Sequence, residues 1–189
     1  MRVILIGYRG SGKSVVGRAL APRLGLDFVD ADVEIESRAG QTIAGIFAEE
    51  GEAGFRVRER TVMVQLCGRD NLVIAAGGGA VLDADTRADW ARSDSPVVWL
   101  TASAEELQSR IATDATTDAR RPALTDGSVL EEISAVLAER EAVYRNCATL
   151  MIETGQLTIN DVVERIVSAL ADGRSHEKDP ATGDGRKEN

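Results

Sequence analysis

The chain has 189 residues, 43% of them hydrophobic and 28% charged, with a formal net charge of −9. That length suits one α/β domain with a real core. No apolar run approaches the roughly 20 residues that span a bilayer, and an acidic chain without a Lys/Arg stripe is a poor match for nucleic acid. Any anionic ligand must therefore be held by local groups.

Residues 2–6 form an apolar run that predicts a strand. The N-terminus leads directly into it, so no signal peptide is expected. Residues 13–24 read as a helix, with Val15, Val16, Ala19, Leu20 and Leu24 at helical spacing. A short second strand is expected over 26–30. Helical pattern follows over about 32–39, 42–50 and 52–67, broken by Gly40 and Gly51. A third strand over 72–76 is closed by Gly77-Gly78-Gly79. Then come a helix over 83–92, a strand over 97–100 and a helix over 103–112. The stretch 113–126 carries threonines, aspartates and Pro122 and reads as an exposed loop. Helix resumes over 128–145, and 149–152 is a fifth strand. A last helix starts near Thr158, where Asp161 three residues on suggests a capping box with a shorter acid, and runs to about 171. From Asp172 the chain is Gly, Asp, Lys, Glu and Pro without periodicity, so a disordered tail is expected over 172–189. Cys67 and Cys147 lack metal-ligand spacing and read as reduced thiols of a cytosolic protein.

Strands that alternate with helices imply a parallel sheet covered on both faces. Ligands of such sheets lie beyond the carboxyl ends of the strands. That edge collects three segments: residues 7–14, Asp30-Ala31-Asp32, and Gly77-Gly78-Gly79.

Gly7, Gly12, Lys13 and Ser14 fit G-x-x-x-x-G-K-[ST] between a predicted strand and a predicted helix. Glycines let backbone N–H groups converge on a phosphate, and the helix adds its positive end. Lys13 brings a full charge, and the Ser14 hydroxyl is a ligand type for Mg²⁺. The loop is built for a nucleoside triphosphate. Asp30 and Asp32 could divide two tasks, one toward the metal's water shell and one toward an acceptor hydroxyl whose proton it takes; either could instead cap the following helix. Arg56 and Glu59 share a helix face and could be a surface ion pair. Three successive glycines after a buried strand cost backbone entropy, so something must approach that backbone closely. Arg120-Arg121-Pro122 sits in the exposed loop, where arginine can close over phosphates and exclude water. Arg140 and Tyr144 share a helix face, and Arg140 could turn into the cleft or to solvent. His176 is the single histidine and falls in the tail, which removes Ser-His and Cys-His chemistry.

Gly7 to Ser14, Asp30-x-Asp32, Phe55-Arg56-x-x-Glu59, Gly77-Gly78-Gly79-Ala80, Arg121-Pro122 and Arg140-x-x-x-Tyr144, in that order, resemble shikimate kinase over about residues 1 to 170. The phosphate loop is common to many families; the Arg-x-x-Glu, triple-glycine and Arg-Pro set is far more specific. The resemblance implies an α/β P-loop three-layer sandwich of the nucleoside monophosphate kinase type. Its five-stranded parallel sheet would carry helices on both faces. One kinase domain would span 1–171, with a substrate-binding helical region near 31–60 and a lid near 112–124. The reaction implied is transfer of the ATP γ-phosphoryl to the 3-hydroxyl of shikimate, with Mg²⁺, by a cytoplasmic monomer of the aromatic amino acid pathway. By the same resemblance Gly10, Ser11, Gly12, Lys13, Ser14, Val15, Arg110 and Arg121 would bind ATP. Lys13, Asp32 and Arg121 would be catalytic, with Asp32 holding acceptor hydroxyls as the candidate base. Arg56 and Arg140 would bind the shikimate carboxylate, with Glu59 orienting Arg56 and the Gly78 backbone against the ring. Ser14 would ligate Mg²⁺ with Asp30 in its outer shell.

The sequence departs from the family in the length and Asp/Thr content of residues 113–119, which leaves the register of Arg110, Arg120 and Arg121 open. Two alternatives stand beside this reading. One is another small-molecule kinase of similar build, acting on gluconate or a nucleotide. The other is an ATP-binding module without transfer activity.

Overall fold

The computed structural model describes residues 1–113 and 129–172. Arg120, Arg121, Pro122 and most of the expected lid lie outside the described residues, as does the expected tail beyond Asp172.

Five strands, β1 (Arg2–Ile6), β2 (Asp27–Asp30), β3 (Leu72–Ala75), β4 (Val97–Thr101) and β5 (Leu150–Glu153), form one parallel sheet in the order β2-β3-β1-β4-β5. The central strand β1 is apolar throughout its buried part because helices cover both of its faces. Ile4 and Ile6 face one layer with Ile74 and Trp99. Val3 and Leu5 face the other with Val73, Val98 and Leu100. On the first side lie α2 (Ala31–Ala39), α3 (Ile43–Cys67), α4 (Ala84–Arg92) and α6 (Val129–Cys147), which contribute Ile35, Phe55, Met63, Trp90 and Tyr144. On the second lie α1 (Lys13–Leu24) and α7 (Ile159–Ala171), with Leu20, Val163 and Ile166. Each such side chain contributes about 1.5–3 kcal/mol on full burial. A third, smaller cluster joins Tyr8 to Leu107 and Ile111 of α5 (Ala104–Thr113) and to Ile133 of α6.

The structure adds local detail to these expectations. Val15 is 52% exposed, and the buried stripe of α1 runs through Val16, Leu20 and Ala21 instead. Val15 is one residue off that stripe, about 100° around the helix. The break expected at Gly51 is present: φ is 68° and ψ is −174° there, so α3 consists of the two helical stretches expected over 42–50 and 52–67. Phe47 and Phe55 stack across this break, with centroids 4.8 Å apart. A 3-10 turn at Ala80–Leu82, absent from the periodicity, follows the triple glycine. The capping box of α7 is present: Thr158 N donates to Asp161 Oδ2 at 2.9 Å, and Asp161 N to Thr158 Oγ1 at 3.2 Å. Cys67 and Cys147 are free and half-buried. Among the described residues no helix is long and apolar enough to cross a membrane.

Candidate active site

The carboxyl end of β1 lies between β3 and β4, at the point where the chain's direction of winding reverses. The loop from Gly7 to Gly12 leaves there, with Gly7, Gly10 and Gly12 at positive φ, and feeds into α1. Lys13 Nζ folds back over it and donates to the carbonyls of Gly7 and Tyr8, each at 2.9 Å. The charge thus stands on the loop's own rim, beside the helix N-terminus, where anions are favoured. Ser11 is buried in the loop.

Asp30 ends β2 and caps α2. Its Oδ1 accepts from Asp32 N at 3.0 Å and Val33 N at 3.3 Å, so Asp30 is the N-cap of α2. Its Oδ2 accepts from Ser14 Oγ at 2.5 Å. Asp32 sits in the first turn of α2, half-buried, with its carboxylate against Gly77. The Ser14 hydroxyl and Asp30 carboxylate are adjacent hard oxygen donors, a set that suits Mg²⁺ bound largely through phosphates. Among the described residues no group of three or more His, Cys, Asp or Glu could hold a metal ion by itself.

The Arg56–Glu59 pair is not a surface pair. Glu59 has 4% of its side chain exposed and accepts from Arg56 Nη1 at 2.6 Å. Burial pulls the Arg56 guanidinium down, but the charge and hydrogen bonds of Glu59, then of Glu52, outweigh it and raise its pKa. Arg56 also donates to Glu52 Oε1, from Nε at 3.3 Å and Nη2 at 2.9 Å. Sequence spacing had singled out Glu59 and missed Glu52, whose i,i+4 offset to Arg56 was the available signal.

The triple glycine receives these side chains. A Cβ on Gly77 would fall on Glu59 Oε1 and stand 2.9 Å from Asp32 Oδ1. A Cβ on Gly79 would fall on the Arg56 guanidinium, with Nη2 at 2.7 Å. The close approach that three glycines imply is made here by the protein's own charged groups. The Gly78 carbonyl accepts from Tyr144 Oη at 2.6 Å and from Arg140 Nη1 at 3.3 Å. Tyr144 is buried and stacked on Trp99, so α6 holds this turn from the core side. Gly78 also abuts the phosphate loop: a Cβ there would lie 3.6 Å from Arg9 N and Gly7 O. A cleft of about 290 Å³ opens beside the turn, lined by Glu52, Arg56, Glu59, Ala80, Leu82 and Asp83, among others.

Arg110 stands apart from this cluster. It donates to Thr154 Oγ1 and Thr154 O at 2.9 Å and to Gly155 O at 3.3 Å, tying α5 to the turn after β5. Arg121 lies outside the described residues. A pairing that the sequence did not signal joins Arg9 of the phosphate loop to the buried Glu132 of α6 at 3.6 Å.

The model of the shikimate kinase family matches residues 9–171. A shikimate kinase of Rhodopirellula baltica is 44% identical over 165 residues, covering 87% of this chain and 88% of its own. One of Symbiobacterium thermophilum is 43% identical over 170 residues, covering 90% and 96%. The solved structure of Acinetobacter baumannii shikimate kinase in complex with shikimate superposes with a TM-score of 0.84 at 37% identity, covering 91% of this chain and 93% of that one. A family match that runs from the phosphate loop to the last helix, with relatives this similar along nearly their full length, fixes the lineage: the chain belongs to the shikimate kinase family.

Proposed function

We propose that this enzyme transfers the γ-phosphoryl of ATP to the 3-hydroxyl of shikimate, releasing ADP and shikimate 3-phosphate. The observation that carries the reading is contiguity. The turn that receives Asp32, Glu59 and Arg56 also packs on the phosphate loop through Gly78. A donor phosphate and an acceptor hydroxyl held by these two features would be neighbours.

Shikimate carries one carboxylate and three hydroxyls. Arg56, oriented by Glu59, and Arg140 would bind the carboxylate, since guanidinium suits a planar anion. Asp32 would hold the acceptor hydroxyl and accept its proton as the oxygen–phosphorus bond forms and the β,γ-bridging bond breaks. The Gly78 backbone would meet the ring. ATP would rest on Gly10, Ser11, Gly12, Lys13, Ser14 and Val15, with Arg110 and Arg121 as its arginine contacts. Lys13 and Arg121 would stabilise charge on the transferring group. Mg²⁺ would be held by the Ser14 hydroxyl, with Asp30 in its outer shell. When bound it would neutralise the phosphate oxygens. The reading takes residues 1–171 as one kinase domain with its substrate region near 31–60, acting as a cytosolic monomer.

A coupled ADP-release assay with shikimate, gluconate and AMP as acceptors tests this. ADP is expected with shikimate. Turnover on gluconate alone would overturn the acceptor, and tight Mg-ATP binding without turnover on any acceptor would overturn the transfer.

A further inference from the structure

Arg56 has two carboxylate partners of opposite character. Glu59 is buried, with 4% of its side chain exposed, and takes one terminal nitrogen at 2.6 Å. Glu52 is 68% exposed and takes the other edge, Nε and Nη2, with a single oxygen. That edge is the guanidinium fork that a carboxylate can grip with both oxygens in two parallel bonds. Glu52 follows directly on the helix break at Gly51, and both it and Arg56 line the cleft.

We propose that Glu52 is an internal stand-in for the substrate's acid group. It occupies the outer fork of Arg56 when the acceptor is absent and yields it when the acceptor's carboxylate arrives. This rests on the reading that Arg56 binds the shikimate carboxylate. Three features favour exchange. An exposed i,i+4 ion pair is weak, so displacing it costs little. One oxygen shared between two N–H groups is an inferior match to two oxygens, one on each. Once displaced, Glu52 is at the surface, where solvent and salt screen its repulsion of an anionic acceptor. Glu59, buried and bonded on the opposite nitrogen, keeps the guanidinium aimed throughout. Glu52 is thus a positioning residue that sets acceptor affinity and takes no part in the chemistry.

The test is Glu52→Gln in the full chain, with Glu49→Gln as control. Glu49 is exposed just before the break at Gly51 and loses the same charge, but it accepts from Gln41 and faces Arg58 rather than Arg56. For E52Q, KM for shikimate is expected to fall about two- to fivefold, the range an exposed ion pair spans. Its kcat and its KM for ATP should hold, and E49Q should leave all three constants unchanged. An unchanged KM in E52Q would overturn the proposal. So would a raised one, which would make Glu52 a substrate ligand. An equal fall in E49Q would also overturn it, by assigning the effect to general charge. Arg56→Ala separates the two levels. If it weakens shikimate binding while E52Q changes nothing, only the stand-in fails. If it leaves shikimate binding intact, the reading of Arg56 fails with it.

Discussion

The two halves of the proposed site are built on different principles. On the proposed reading the phosphate half is one contiguous stretch, Gly7 to Ser14, and would work largely through backbone N–H groups and a helix end. The acceptor half is assembled from side chains of α2, α3 and α6 around a glycine turn, and none of its members is adjacent to all the others in sequence. The first is therefore fixed by local conformation, the second by packing. A change in one half should leave ligand binding in the other largely intact. The turn at Gly78 is the place where they touch.

That division can be broken or sharpened by mutation. The largest effect is expected for Asp32→Asn, which removes the candidate base: kcat should fall about 10²–10⁴-fold while ATP affinity holds. A turnover number near that of the parent would mean that the acceptor half binds but does not transfer protons. Arg56→Ala comes next. Loss of charge-assisted bonds of about 1.5–3 kcal/mol should weaken shikimate about 10- to 100-fold. Calorimetry with each ligand alone should find ATP binding intact; a matching loss for ATP would show that the halves are coupled.

The smallest effect falls on the scaffold. Asp83 accepts from Thr86 N at 2.7 Å as the N-cap of α4, and Arg60 of α3 lies 3.5 Å from it. Asp83→Ala should cost about 1 kcal/mol in urea unfolding and leave ATP affinity unaltered. Burial raises the Asp83 pKa, but the Thr86 bonds and then Arg60 and Arg87 outweigh it, leaving it below the ordinary 3.8. Its contribution is thus fully present above that value and fades as pH falls through the lower folded one, so the stability gap between parent and D83A should close only in strong acid.

How much of this was legible follows the same division. The phosphate loop could be read outright, because its meaning lies in eight consecutive residues. Strand and helix order was equally open, since β1, β3 and β4 are apolar runs bounded by glycine or proline. In the acceptor half the residue types were visible but their relations were not. Spacing placed Arg56 beside Glu59 without revealing that Glu59 is buried, because burial depends on what α3 packs against. Capping could have fallen to Asp30 or Asp32, and the choice required the backbone geometry at the end of β2, where Asp30 accepts from Asp32 N and Val33 N. Glu52 was hidden by looking like an ordinary surface acid. The Arg9–Glu132 pair spans most of the chain, beyond any local pattern. Val15 fits the helical spacing yet stays outside the buried face, because α1 buries a narrow stripe and one residue's rotation moves a side chain off it.

The glycines at 77, 78 and 79 look equivalent as letters but face unequal walls. On either flank a methyl group would land on a charged atom of Glu59 or Arg56, whereas in the middle the neighbouring atoms stand back at 3.6 Å, ordinary van der Waals range. A saturation library across this tripeptide, screened for folded protein, should accordingly recover alanine codons more often at the centre than at either end.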